Sequence, residues 1–103
     1  MSKPFHKALL KKWAAPSRIF AALGDAHRQR ILLMFERGEE LTIKQVVEAC
    51  PLSRTAVAHH IRVLRDAGVL NAQRRGKEVY LRPDPGRVLD ALNAVRDYIR
   101  EEL

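Results

Sequence analysis

A single cysteine, Cys50, leaves this chain without any possible internal disulfide and gives an oxidising compartment no support. No apolar run approaches the roughly 20 residues that a membrane-spanning helix needs. The four histidines, His6, His27, His59 and His60, fall in no HxxxH or His-x-Glu spacing, and CxxC is absent. His59 and His60 are adjacent, so on a helix their side chains diverge by about 100° and do not readily chelate one ion. Cys50 has no nearby histidine in sequence, and no glycine-rich loop is present to cradle a phosphate. The expectation is a chain without metal, cofactor or catalytic site, and not an enzyme. Repeats and low-complexity tracts are missing too.

What is present is enough for one folded domain spanning 1–103: apolar residues make up 47% of 103. The formal charge of +7 is distributed unevenly. Residues 1–18 carry five basic and no acidic side chains, and residues 52–83 carry seven basic and two acidic. The stretches 19–51 and 84–103 are net acidic. Such a division is the footprint expected of a polyanion partner, although a basic face can also serve solubility alone. The opening MSKPFHKALLKKWAAPSR superficially suits a transit peptide, but it has no secretory apolar core or cleavage pattern. A folded first helix and a cytoplasmic location are expected instead, without a membrane partner.

Along the chain, Phe5, Leu9 and Trp13 recur every four residues and predict an amphipathic helix ended by Pro16. Ile19, Phe20 and Leu23 form a second short stripe, completing N-terminal helices over 1–23. Asp25 is placed to cap AHRQRILLMFER, a helix stopped by Gly38, with Ile31, Leu32, Met34 and Phe35 on a wide buried face. Thr42 and Gln45 form a capping box ahead of Ile43, Val46 and Val47, in a helix that must stop near Ala49 or Cys50 before Pro51. Ser53 caps the next helix, in which Val57, Ile61 and Leu64 face inward. These two helices make a helix-turn-helix over 42–67. A basic hairpin follows over 69–83, with Gly76 at its tight turn. Asp84 and Pro85 then open a helix over 85–102, striped by Val88, Leu92, Val95 and Ile99, with Leu89 and Tyr98 beside them. The pattern is mainly α with a small β-hairpin wing, a winged helix-turn-helix.

Opposite the inward stripe of the second helix lie Arg54, Thr55, Ala58, His59 and Arg62. Arginine can grip guanine bidentately, threonine and histidine can donate or accept, and alanine lets the backbone approach or meets a thymine methyl. Ser53 and the free amides at the helix start can face a phosphate. Arg65 lies farther along, toward the DNA backbone, and Arg74, Arg75 and Lys77 surround the glycine of the ribbon tip. Exposed arginines are commonly no more than solvated surface, and an isolated charged hairpin carries little weight. The adjacency of helix and ribbon is what makes double-stranded DNA the expected partner. His60 borders the inward stripe and is expected to be a partly buried, hydrogen-bonded packing residue.

Three segments resemble the ArsR/SmtB family of bacterial winged-helix repressors. IFAALGDAHRQRILLMF is similar to that family's opening helices. LSRTAVAHHIRVLRDAGVL is similar to its recognition segment, with the family's serine-histidine pair falling on Ala58 and His59. RRGKEVYLRP is similar to its wing. Winged helices of the MarR type overlap in pattern. The resemblance implies a sequence-specific transcriptional repressor acting as a homodimer on an imperfect palindrome. The implied dimer interface uses helices at both termini, through Phe5, Leu9, Trp13, Val88, Leu92, Val95 and Ile99, although the same stripes would suit a core. Known family sensors are lacking: no cysteine pair stands at Leu41 to Lys44, and residues 86–103 contain no histidine beside Asp90 and Asp97. The resemblance therefore names no effector. Pro51 also replaces the glycine usual in the turn. The alternative class is a winged-helix module that binds RNA or a protein without ligand-controlled repression.

Overall fold

The computed structural model describes residues 3–103, with the element order α1 (Ala14–Leu23), α2 (Ala26–Leu32), β1 (Leu41–Thr42), α3 (Ile43–Ala49), α4 (Arg54–Asp66), β2 (Leu70–Arg75), β3 (Glu78–Pro83) and α5 (Pro85–Glu102). A single 3₁₀ turn, Lys11–Trp13, precedes α1. The sheet is antiparallel with order β1-β3-β2, so the hairpin expected over 69–83 gains a third, two-residue strand from the segment that also caps α3.

The helix expected over Phe5, Leu9 and Trp13 does not form. Residues 3–10 are irregular, and Phe5 and Leu9 are 92% and 60% exposed. A short stripe with no surface to pack against cannot offset the cost of helix nucleation. Pro16, expected to end that helix and start the next turn, sits as the third residue of α1. There its missing N–H is among those a helix leaves unpaired anyway. Helix α2 is also shorter than expected, ending at Leu32 rather than near Gly38. Met34 and Phe35 donate to Ile31 and Leu32 at 3.1 and 3.2 Å, and these tighter i→i+3 bonds close the helix while turning both side chains toward the core.

The caps form where the sequence placed them. Asp25 and Ser53 accept from the amides of Arg28 and Ala56 at 3.1 Å each, and Asp84 accepts from Arg87 at 3.3 Å. Thr42 and Gln45 complete the reciprocal capping box, with bonds of 3.1 and 2.8 Å. Each satisfies an otherwise orphaned helix-start amide, worth about 1 kcal/mol. Helix α3 stops at Ala49, two residues before Pro51.

Every long element contributes to one core. Ile19, Ile31, Val46, Val57, Ile61, Leu64, Val69, Leu70, Leu81 and Ala91 are all buried. Leu81 stands opposite Leu41 on one side and Ala72 on the other, which seats the sheet's inner face on the helices. The stripe of α5 divides. Ala91 is buried and Val88 and Val95 are half-buried, whereas Leu89, Leu92 and Ile99 are at least half exposed. Consistent with a projecting end, the molecule measures 59 × 26 × 22 Å, and its radius of gyration of 16.4 Å exceeds the roughly 13 Å of a compact 100-residue domain.

Candidate nucleic-acid interface

Helix α4 presents two faces that its sequence dictates. Val57, Ile61 and Leu64 are buried, and at about 100° per residue Thr55, Ala58, His59 and Arg62 fall on the opposite side. All four are exposed, as are Ser53, Arg54 and Arg65. Arg54 and Arg65 flank this face on one edge, and Asp66 closes it at the helix's C-terminal end. A surface cleft lined by Ile43, Ala58, Ile61, Arg62, Arg65 and Asp66 runs between this face and the start of α3.

A Schellman ending joins helix to ribbon. Gly68 adopts φ +81, its amide donates to Arg65 O, and Val69 N donates to Leu64 O, both at 2.9 Å. Leu64 and Val69, both buried, make the apolar contact that accompanies this motif. The chain thus reverses directly from the exposed face of α4 into β2. At the far end Arg75 pairs with Glu78 across a two-residue loop, and Gly76 supplies the positive φ of 61°.

The tip does not present its three cations alike. Successive strand residues point to opposite faces, so Arg74 and Arg75 diverge. Arg75 Nη2 donates to Glu40 at 2.7 Å, its guanidinium donates to Gln73, and it lies 4.5 Å from the Tyr80 ring centroid. Arg54, Arg62, Arg65, Arg74 and Lys77 form no ion pair among the described residues. Sequence gave no sign of Glu40, which lies 35 positions from its partner.

The histidines are also rearranged by folding. His27, distant in sequence, lies 5.6 Å from His60 between ring centroids, and His59 lies 5.7 Å from it. Half-buried His60 takes a hydrogen bond from Arg28 Nη1 at 3.2 Å, in keeping with its expected packing role. Burial holds the His60 imidazole below the usual histidine range; Asp25 opposes this, while Arg28, His27 and His59 deepen it. The Asp25 carboxyl is lowered, chiefly by the bond from the Arg28 amide. Among the described residues no three of His, Cys, Asp and Glu are grouped to hold a metal ion.

A family described as helix-turn-helix domain matches residues 23–72, spanning α2 to the first wing strand. The HTH-type transcriptional regulator YuzN of Bacillus subtilis is 43% identical over 65 residues, covering 57% of this chain and 71% of YuzN. The arsenic resistance transcriptional regulator ArsR1 of Pseudomonas putida is 33% identical over 76 residues, covering 74% of this chain and 59% of ArsR1. The solved ArsR-like transcriptional regulator from Rhodococcus sp. RHA1 superposes with a TM-score of 0.80 at 24% identity, covering 89% of this chain and 86% of that one. The chain belongs to the HTH-type transcriptional regulators, and it is similar to ArsR regulators in sequence and fold. In this HTH-type regulator the helix-turn-helix is α3 and α4, and the wing is β2 and β3. The match ends at residue 72, so the wing tip and α5 rest on the superposed fold rather than on the family match.

Proposed function

We propose that this protein is a homodimeric transcriptional repressor that reads double-stranded DNA through α4 and grips the phosphate backbone with its wing. The observation that carries the proposal is the set of exposed cations that form no ion pair among the described residues, Arg54, Arg62 and Arg65 on α4 with Arg74 and Lys77 on the wing. In the major groove, Arg62 with Thr55 and His59 meets base edges, and Ala58 admits the backbone or a thymine methyl. Ser53 and the start of α4 face a phosphate, and Arg65, Arg74 and Lys77 supply contacts that set register but not sequence. Arg75, being engaged by Glu40, contributes less than its neighbours. Two copies related by a two-fold would place their reading helices about 34–36 Å apart, one turn of DNA, against an imperfect palindrome. A cytoplasmic protein would meet such DNA directly.

The division of labour is testable on a duplex that the protein selects from a random pool. Arg62→Ala should cost about 1–3 kcal/mol on that duplex and relax base choice, whereas Lys77→Ala should weaken selected and unselected duplexes alike. Equal losses on both DNAs for both variants, or equal wild-type affinity for structured RNA, would overturn the proposal.

A further inference from the structure

Arg28 joins three helices through one side chain. Its Nε donates to Ala22 O at 2.6 Å and its Nη2 to Ala21 O at 3.3 Å, engaging the last turn of α1. Its Nη1 donates to His60 Nδ1 at 3.2 Å, on the second turn of α4 and next to the base-facing His59. The guanidinium has donors only, so His60 Nδ1 must be the acceptor and the ring proton must sit on Nε2. We propose that Arg28 and His60 form a proton-sensitive positioning latch, which fixes the reading helix against α1 only while His60 is neutral. This inference rests on the DNA-reading proposal above, and it assigns a role to two residues outside the reading face.

Protonation removes the Nδ1 lone pair and places two cations at hydrogen-bond distance, so the latch opens. The groups facing His60 are Asp25, His27 and Arg28 from α2 and its cap, and His59 from its own helix. Of these only Asp25 favours the charged ring, and its carboxylate already accepts the Arg28 amide at 3.1 Å. The geometry therefore favours the neutral form near neutrality, and the depressed His60 pKa agrees. The sign follows from that depression. His60 contributes stability that is full above the ordinary value of 6.5 and is lost as pH falls through its lower folded value.

The test compares wild type with His60→Asn, whose amide oxygen can replace Nδ1 as acceptor but does not titrate here. Binding to the pool-selected, fluorescein-labelled duplex is followed by anisotropy from about pH 7.5 to about pH 5. Relative to His60→Asn, wild-type affinity should decline on acidification, approaching about tenfold per pH unit for the one proton taken up at His60. His60→Asn should bind as wild type does near neutrality and lose that decline. His59 is the same in both proteins, so whatever it contributes cancels in the comparison. The same decline in both, or an unchanged wild-type profile, overturns the latch. Nitrogen NMR of the wild-type imidazole gives a readout independent of DNA: a protonated Nδ1 near pH 7.5 overturns the latch outright. If no duplex is bound at any pH, the DNA-reading proposal fails and the positioning role fails with it. The NMR result then still decides whether the hydrogen bond exists.

Discussion

Glu40 Oε2 accepts a 2.7 Å ion-paired hydrogen bond from Arg75 Nη2, holding one arginine of the wing tip back against the segment that leads into β1. The guanidinium completes the arrangement by lying over Tyr80. A carboxylate thus already holds a cation that the proposed function would otherwise offer to phosphate. Both side chains keep contact with water, at 45% and 30% exposure, so the pair is a modest contributor to stability.

Glu40→Ala should therefore cost the fold no more than about 1 kcal/mol while releasing Arg75 toward DNA. Titrating duplex binding against salt should show a steeper dependence, by about 0.9 in log–log slope for one added phosphate contact. An unchanged slope would mean that Arg75 stays over Tyr80 without Glu40 or already reaches the backbone with it.

The joint between α4 and the wing should be sensitive to one methyl group. Gly68→Ala forces an L residue into φ +81 and sets its Cβ 2.9 Å from the Arg87 side chain. Gly76→Ala meets a similar φ, +61, with no atom within 4 Å. Left-handed backbone costs each variant about 1–2 kcal/mol, and chemical denaturation should show Gly68→Ala to be the more destabilised. Equal losses would show that Arg87 swings aside freely.

The outer face of α5 should govern self-association rather than folding. Leu92 and Ile99 are 50% and 52% exposed, and the irregular N-terminal segment leaves Phe5 and Leu9 uncovered as well. Trp13 is braced edge-on against Tyr98 at 5.6 Å, tying the N-terminal segment to the same helix. Leu92→Glu and Ile99→Glu should each change monomer stability by no more than about 0.5 kcal/mol, as surface substitutions do. Sedimentation should show wild type as a dimer and both variants shifted to monomer. A monomeric wild type, or variants that remain dimers, would remove these residues from the interface.

Much of the fold was legible because local chemistry decides it. Asp25, Thr42, Ser53 and Asp84 each cap a helix through bonds spanning three residues, and Val57, Ile61 and Leu64 repeat at helical spacing. Periodicity alone misled at Phe5 and Leu9, since a stripe forms a helix only when packing stabilises it, and no core lies beneath those residues. At Met34 and Phe35 a period that continued past Leu32 concealed a switch to tighter turns.

The sequence by itself determined the capped helices α3, α4 and α5, the wing hairpin, the exposed face of α4 and the basic composition of the wing, because caps, glycine turns and apolar spacing act over a few residues. Tertiary structure decided which charges are free. Glu40 reaches Arg75 across 35 positions and Arg28 reaches His60 across 32, and β1 becomes a strand only by pairing with β3. Such contacts depend on how the helices and the sheet close on a shared core. That closure sets Arg62 and Lys77 apart from Arg75, which carries the same charge in a neighbouring position but is already held.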